Sequence, residues 1–392
     1  MKLIICISIL FISYLSDALN IERNSNFNPN DVISGESMTL FRKRRSTFTY
    51  KDLLWSDFPI KYKIFSNVNR TLVQTAIKSF ERESCIRFKE MSKNFTGAGL
   101  YFEFDKEHCY SSHNGPRIDV APQTIGIAKR CERLGSVIHE VLHALGIFHE
   151  HSRRDRNKYV TIIEKNIIPE HKVQFKIVED YEGKTYGIPY DYGSAMHYER
   201  AAGGIQNRTT IVPKNKHYTK SMGQTTYFSF ADIKLLNFRY CDHKCPRKLQ
   251  CHRGGFSDSN NCRVCKCPTF YSPPFCYLLK RSPKICGSRV KIATRTTKTF
   301  KINGIKSCYY VIRALPNRRV KITILSGQSK LTPICQPGSG LNIKFLKNRV
   351  VSPVAFCGKI KNYIITSEGK DVAIHYAGKS KSDYYSIAYQ QI

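Results

Sequence analysis

Seven of the fifteen cysteines in this chain fall between positions 241 and 276. So dense a cluster leaves little room for an apolar core and predicts a small module stapled by disulfides. Disulfides need an oxidising compartment, and the N-terminus supplies the route. It reads MKLIICISILFISYLSDALN: Lys2 as a positive n-region, an apolar run from Leu3 to Leu15, and a small-residue cleavage site at Ser16-Asp17-Ala18. Residues 1–18 are therefore expected to be a signal peptide, with a retained signal anchor as the alternative. Cys6 leaves with it, and the fourteen cysteines that remain can form seven disulfides. No later apolar run approaches the roughly eighteen residues a membrane-spanning helix needs. The expected product is secreted and extracellular, with no transmembrane segment. The sequons at Asn69, Asn94 and Asn207 suit glycosylation of an exported surface.

Net charge is +33. In a cytosolic chain such a charge would suggest nucleic acid. Behind a signal peptide the expected polyanions are sulfated glycans, acidic matrix or anionic cell surfaces, and no nucleic-acid partner is expected. From Cys286 to Ile392 there are nineteen Lys and Arg against Glu368, Asp371 and Asp383 only, so about half of the excess sits in the last quarter. Solvated side chains with no partner are the plain alternative.

Residues 19–45 are polar and end in Arg42-Lys43-Arg44-Arg45. A short polar segment cannot bury enough surface to fold alone. It reads as a propeptide cut at Arg45-Ser46 by a convertase. From Trp55 to Cys241 the texture is globular. "FPIKYKIF" alternates like an edge strand, and "GLYFEF" reads as another strand. "VNRTLVQTAIKSFERES" has helical periodicity with Val73, Ala76, Ile77 and Phe80 on one face, and a second helix is expected over 133–148. Mixed helices and strands predict an α+β class. After 280, short stretches such as "RVKIATRTTKTFKI", "RRVKITIL", "GLNIKFL", "NYIITS", "DVAIHYA" and "YYSIAY" alternate between turns and predict an all-β sandwich.

The chemistry is concentrated in "SVIHEVLHALGIFHEHSRRDR". On a helix His139 and His143 share one face and can bind one metal. His149 lies about 240° away around an unbroken helix, so it joins them only if the helix stops. Gly146 is where it can stop, because glycine adopts the left-handed conformation without steric penalty. Three neutral nitrogens with an open position describe a catalytic zinc site. Glu140, beside the first histidine, is placed to take a proton from attacking water and return it to the leaving amine. A bare HExxH is a weak signal, since an ordinary amphipathic helix produces it. The extended H-E-x-x-H-x-x-G-x-x-H, followed downstream by Met196 in "YGSAMHY", is the metzincin signature.

With Glu150 after the third histidine and "DYGSAMHY" downstream, residues 46–241 resemble an astacin. The resemblance implies a two-lobed metzincin domain with substrate across the cleft, one Zn2+ per chain and zymogen activation. It implies that Glu150 meets the new N-terminus at Ser46 through water, and Trp55 stands at the matching distance from it. Tyr198 would be a resting zinc ligand that swings to hydrogen-bond the oxyanion, and Met196 an apolar floor. Core packing is the alternative for both. Pairs Cys85–Cys241 and Cys109–Cys131 match the family in order. The family's latency motif F-x-G-D has only Ile33-Ser34-Gly35-Glu36 as its counterpart, which makes Glu36 the candidate latency ligand.

Cys245–Cys262, Cys251–Cys265 and Cys267–Cys276 are the pairs implied by resemblance to an EGF-like module. Cys286–Cys308 and Cys335–Cys357 are those implied by resemblance to a CUB domain. Few acids stand at calcium-type positions in either, so no calcium is expected. The expected organisation is signal 1–18, propeptide 19–45, catalytic domain 46–242, EGF-like module 243–277 and CUB domain 286–392. The expected function is a secreted zinc endopeptidase acting on protein or peptide substrates. A silent adhesion or glycan-binding protein using the same modules is the competing class, and the intact HExxH set with Glu140 argues against it.

Overall fold

The alternation in "FPIKYKIF" places Ile60, Tyr62 and Ile64 on one buried face of strand β1 (Ile60–Ile64). The computed structural model that shows this describes residues 54–116, 122–178 and 184–392. The signal segment, Glu36 and the Arg45-Ser46 site lie outside the described residues. Strand β1 joins β2 (Phe88–Glu90), β3 (Leu100–Asp105), β4 (Tyr110–Ser111) and β5 (Gln123–Ala128) in one sheet of order β2-β1-β3-β5-β4. The edge position expected for β1 is therefore corrected. It pairs in parallel with both β2 and β3, and the edge belongs to β2. Alternation reports that one face is buried, and it is silent on which strands flank it.

Helix α1 (Arg70–Glu83) buries Val73, Ala76, Ile77 and Phe80 against this sheet, and Asn69 caps it by accepting from the Leu72 amide at 3.1 Å. Helix α2 (Leu134–Ala144) packs on α1, β4 and β5. It stops four residues short of the expected 133–148. Gly146 takes φ +74°, and its amide returns to the His143 carbonyl at 2.7 Å. Trp55 Nε1 donates to Ala144 O and the Tyr240 hydroxyl to Leu145 O, each at 2.8 Å. The last turn's carbonyls are thus satisfied without more helix.

Below the sheet lobe the chain runs mostly in turns and 3-10 segments, with one short pair β6 (Val160–Ile162) and β7 (Ile211–Pro213). Helix α3 (Phe230–Tyr240) closes the lobe, with Ser229 and Asp232 in a reciprocal capping box. Disulfides join Cys85 to Cys241 and Cys109 to Cys131. The cysteine-dense module is the hairpin β8 (Phe256–Asp258) and β9 (Asn261–Lys266), crossed by Cys245–Cys262, Cys251–Cys265 and Cys267–Cys276. All three sequon asparagines are exposed.

The C-terminal sandwich has nine strands: β10 (Val290–Ile292), β11 (Lys298–Asn303), β12 (Lys306–Arg313), β13 (Val320–Gln328), β14 (Gly340–Lys344), β15 (Val354–Phe356), β16 (Lys359–Thr366), β17 (Asp371–Gly378) and β18 (Tyr384–Gln391). They form sheets of order β10-β12-β17-β14-β15 and β11-β18-β13-β16. Cys286–Cys308 and Cys335–Cys357 staple it. Strands β12 and β15 are absent from the expected set. β15 is only three residues long and fully buried, against the 3-10 turn Lys216–Lys220 of the catalytic lobe. That contact has a wider counterpart. Tyr190, Tyr192 and Tyr218 of the catalytic lobe share one buried cluster with Phe345, Val351 and Val354 of the sandwich. The sandwich is packed on the catalytic lobe as part of one core.

Candidate active site

The helical period and the Gly146 turn bring His139, His143 and His149 to one point. Their Nε2 atoms stand 3.1 Å (139–143), 3.0 Å (143–149) and 3.2 Å (139–149) apart. His139 Nδ1 donates to Ala195 O at 2.8 Å and His143 Nδ1 to Ile147 O at 2.9 Å. With the ring protons of His139 and His143 held there, their Nε2 lone pairs face the point where the three rings meet. Tetrahedral zinc with Zn–N bonds of about 2.0–2.1 Å would set the nitrogens about 3.3 Å apart, so the donor set fits. The three are the group able to hold a metal among the described residues.

Glu140 follows the first histidine and is 1% exposed. Its Oε2 has no hydrogen-bond partner among the described residues. Burial pushes its carboxyl up to about 8, opposed by a hydrogen bond from the Ser111 backbone. A divalent cation next to it would reverse that shift by favouring the carboxylate. Burial also pulls His139 down to about 4 and His143 and His149 well below the usual imidazole range. The three imidazoles are therefore neutral, the form that binds metal. Tyr198 lies over His149 with ring centroids 4.3 Å apart and is 1% exposed, and burial holds its phenol well above its usual range. Met196 is also 1% exposed and belongs to the same core as α2. A cleft beside His139, Glu140 and Tyr198 is lined by the Cys109–Cys131 bridge and Gly223–Thr225.

Glu150 turns away from the histidines. Its Oε1 accepts from Arg153 Nη1 at 3.0 Å and from the Asp191 amide at 2.8 Å, and its own amide donates to Met196 O at 2.8 Å. Burial pushes its carboxyl up to about 8 against the pull of Arg153. A cavity beside it is lined by Gly146 to Glu150, Ile188 and Arg239. Ser46, the expected neighbour of that carboxylate, lies outside the described residues.

Several site residues carry no sequence signal. Asp232 on α3 accepts from Ser194 Oγ at 2.6 Å and from the amides of Ala195 and Ser229, each at 2.8 Å. It thereby ties α3 to the turn holding Met196. His151 stacks 4.1 Å from the Tyr198 ring, and His197 Nε2 meets the Tyr190 hydroxyl at 2.7 Å. The "HEH" and "MHY" strings display these histidines, but only the fold shows that they support Tyr198 rather than bind metal.

A three-histidine site on an interrupted helix, a neighbouring glutamate and a buried methionine turn define a metzincin-type metallopeptidase domain. The chain belongs to the astacin family: the model of the Astacin peptidase family matches residues 47–241. Zinc metalloproteinase nas-34 of Caenorhabditis elegans is 34% identical over 286 residues, covering 72% of this chain and 47% of that protein. Zinc metalloproteinase nas-29 of the same organism is 31% identical over 376 residues, covering 91% and 69%. The chain thus spans about half to two thirds of these relatives' lengths. Among solved structures, the medaka (Oryzias latipes) hatching enzyme HCE-1, a zinc-protease, is 30% identical, with 47% of this chain and 92% of that one covered and a TM-score of 0.42. The family's cofactor is zinc.

Proposed function

We propose that this chain is a secreted zinc-dependent endopeptidase, made as a zymogen and released by cleavage at Arg45-Ser46. The observation that carries the reading is the buried, unpartnered Oε2 of Glu140 on the residue next to the first of three convergent histidines. His139, His143 and His149 would hold the metal through Nε2. Bound there, zinc supplies a Lewis acid for the scissile carbonyl and makes water acidic near neutral pH. Glu140 takes the proton from the attacking water and delivers it to the leaving amine. Tyr198 hydrogen-bonds the developing oxyanion through its hydroxyl, and its tilted ring contact with His149 sets its reach. Met196 fills the space beneath the ligands, and Glu150 anchors the processed N-terminus.

The domain boundaries at 46–242, 243–277 and 286–392, latency through Glu36 and glycans at Asn69, Asn94 and Asn207 belong to the same proposal. So does recognition of sulfated glycans or acidic matrix by the CUB domain. Of its nineteen basic residues Lys344 and Arg349 are buried, which leaves the others for an anionic surface.

The test is cleavage of casein or gelatin by protein trimmed at Ser46, with and without a zinc chelator, beside Glu140→Gln. Chelator-sensitive cleavage absent from Glu140→Gln supports the reading. Cleavage that continues at the untreated wild-type rate after either change overturns it.

A further inference from the structure

One buried joint between the two large units is centred on Asp191, five residues before Met196. Asp191 is fully buried, and its carboxylate crosses to the sandwich. Oδ1 accepts from the Ser352 amide and Oδ2 from the Ser352 hydroxyl, both at 2.9 Å. Oδ1 also accepts from the Gly193 amide at 3.1 Å, while the Asp191 amide donates to Glu150. The Asp191 carbonyl then accepts from Ser194, whose hydroxyl takes the Met196 amide at 3.0 Å. An unbroken run of hydrogen bonds thus leads from Ser352 to the turn that ends in Tyr198. That turn contains no regular element to hold its own shape.

The sandwich side of the joint is built to be rigid. Lys344 at the end of β14 is buried and donates to the carbonyls of Arg349 (2.8 Å) and Val351. Arg349 returns to Lys344 O at 2.8 Å and pairs with Asp371 at 2.7 Å. Asp371 also meets Arg253 of the EGF-like module at 3.3 Å. Val350 enters the core that contains α2, and Tyr218 donates to Ser352 O at 3.0 Å. The fit has no slack. A Cβ added at Gly193 would lie 2.5 Å from Ser352 Cβ and 2.6 Å from its Oγ.

We propose that the sandwich loop Arg349–Ser352 is a positioning element of the active site, in which Ser352 acts through Asp191 to hold the 190–198 segment carrying Met196 and Tyr198. Its kinetic consequence rests on the endopeptidase reading above, whereas the contact itself does not. The terminal sandwich then does more than address the protease to a surface, because the catalytic turn is completed by a residue 161 positions further along the chain.

The experiment uses the full chain, trimmed at Ser46, as wild type, Ser352→Ala, Gly193→Ala and the double variant Gly193→Ala/Ser352→Gly. Hydrogen–deuterium exchange is followed in peptides covering 190–199, 349–356 and the sheet segment 60–105. Turnover of a quenched peptide gives kcat and KM. Losing one hydrogen bond to a buried carboxylate predicts about ten-fold faster exchange at 190–199 in Ser352→Ala, with 60–105 unchanged. It also predicts a kcat about five-fold lower, with KM within about two-fold. Gly193→Ala should be worse on both readouts. The double variant should return to the Ser352→Ala level, because glycine at 352 removes both atoms the new methyl strikes. Unchanged exchange at 190–199 in both single variants overturns the proposal. So does faster exchange there with wild-type kcat. If even the wild type cleaves nothing, the endopeptidase reading is what fails, and exchange still decides whether Ser352 holds the turn.

Discussion

Asp232 makes a sharp test of how the site turn is held, because its burial and its bonds pull in opposite directions. The carboxyl is 4% exposed, and burial raises its pKa from 3.8 to about 6 despite hydrogen bonds from Ser194, Ala195 and Ser229. The folded protein therefore takes up this proton before the unfolded chain does. Stability from this group is complete below pH 3.8 and is lost as pH rises through about 6. The displacement is worth about 3 kcal/mol. Asparagine removes the titration but keeps the shape. Its amide can sit at the Ser194 side, where the hydroxyl rotates to accept, and its oxygen still takes the amides of Ala195 and Ser229. The prediction is that the stability of wild type minus that of Asp232→Asn falls by about 2 kcal/mol between pH 4 and pH 7.

Urea unfolding of metal-free protein measures this, read by the fluorescence of Trp55. It is the chain's only tryptophan and sits in the catalytic core at 5% exposure. The difference between the two proteins cancels the titration of Glu140 and the histidines, which both retain. A difference that stays level from pH 4 to pH 7 would refute the claim that Asp232 is held in the fold as a costly buried charge. A difference that rises with pH would mean the bonds outweigh the burial.

Four further outcomes follow from the same geometry. Glu140→Gln should lose about 10²- to 10⁴-fold in kcat with zinc content unchanged by metal analysis, since the side chain moves a proton and binds no metal. Tyr198→Phe should lower kcat about 10²-fold or more while zinc is retained, and a large rise in KM alone would contradict its oxyanion role. Zinc should stay bound in gel filtration from pH 8 to about 5, because burial has already lowered His139 to about 4; half-loss at pH 6 would show that the imidazoles titrate normally. Gly146→Ala places a Cβ at φ +74° and should cost about 1–2 kcal/mol while weakening zinc retention through His149, which thermal unfolding and metal analysis check together.

What could be read from the sequence, and what could not, divides by the range of the rule involved. His139 and His143 fall together by helix period and His149 by one glycine, all within eleven residues, so local geometry suffices to group them. Val73, Ala76, Ile77 and Phe80 declared their face of α1 in the same way. Strand β1 shows where a local rule stops: its alternation is plain, but its interior place in the sheet depends on β2, a three-residue strand formed beyond α1. Asp191, Asp232 and Ser352 lie further off still. Each is an ordinary polar residue in its own stretch, and acquires a role only when a partner 37 or 161 positions away removes water from it. The charge count is silent on burial for the same reason. Lys344 and Arg349 look like surface cations, yet they are the internal braces of the loop that meets Asp191. Composition reports how many charges a chain carries. Whether a given charge faces solvent or holds a loop together is settled by tertiary contacts, and in this chain Lys344 and Arg349 fall on the second side of that division.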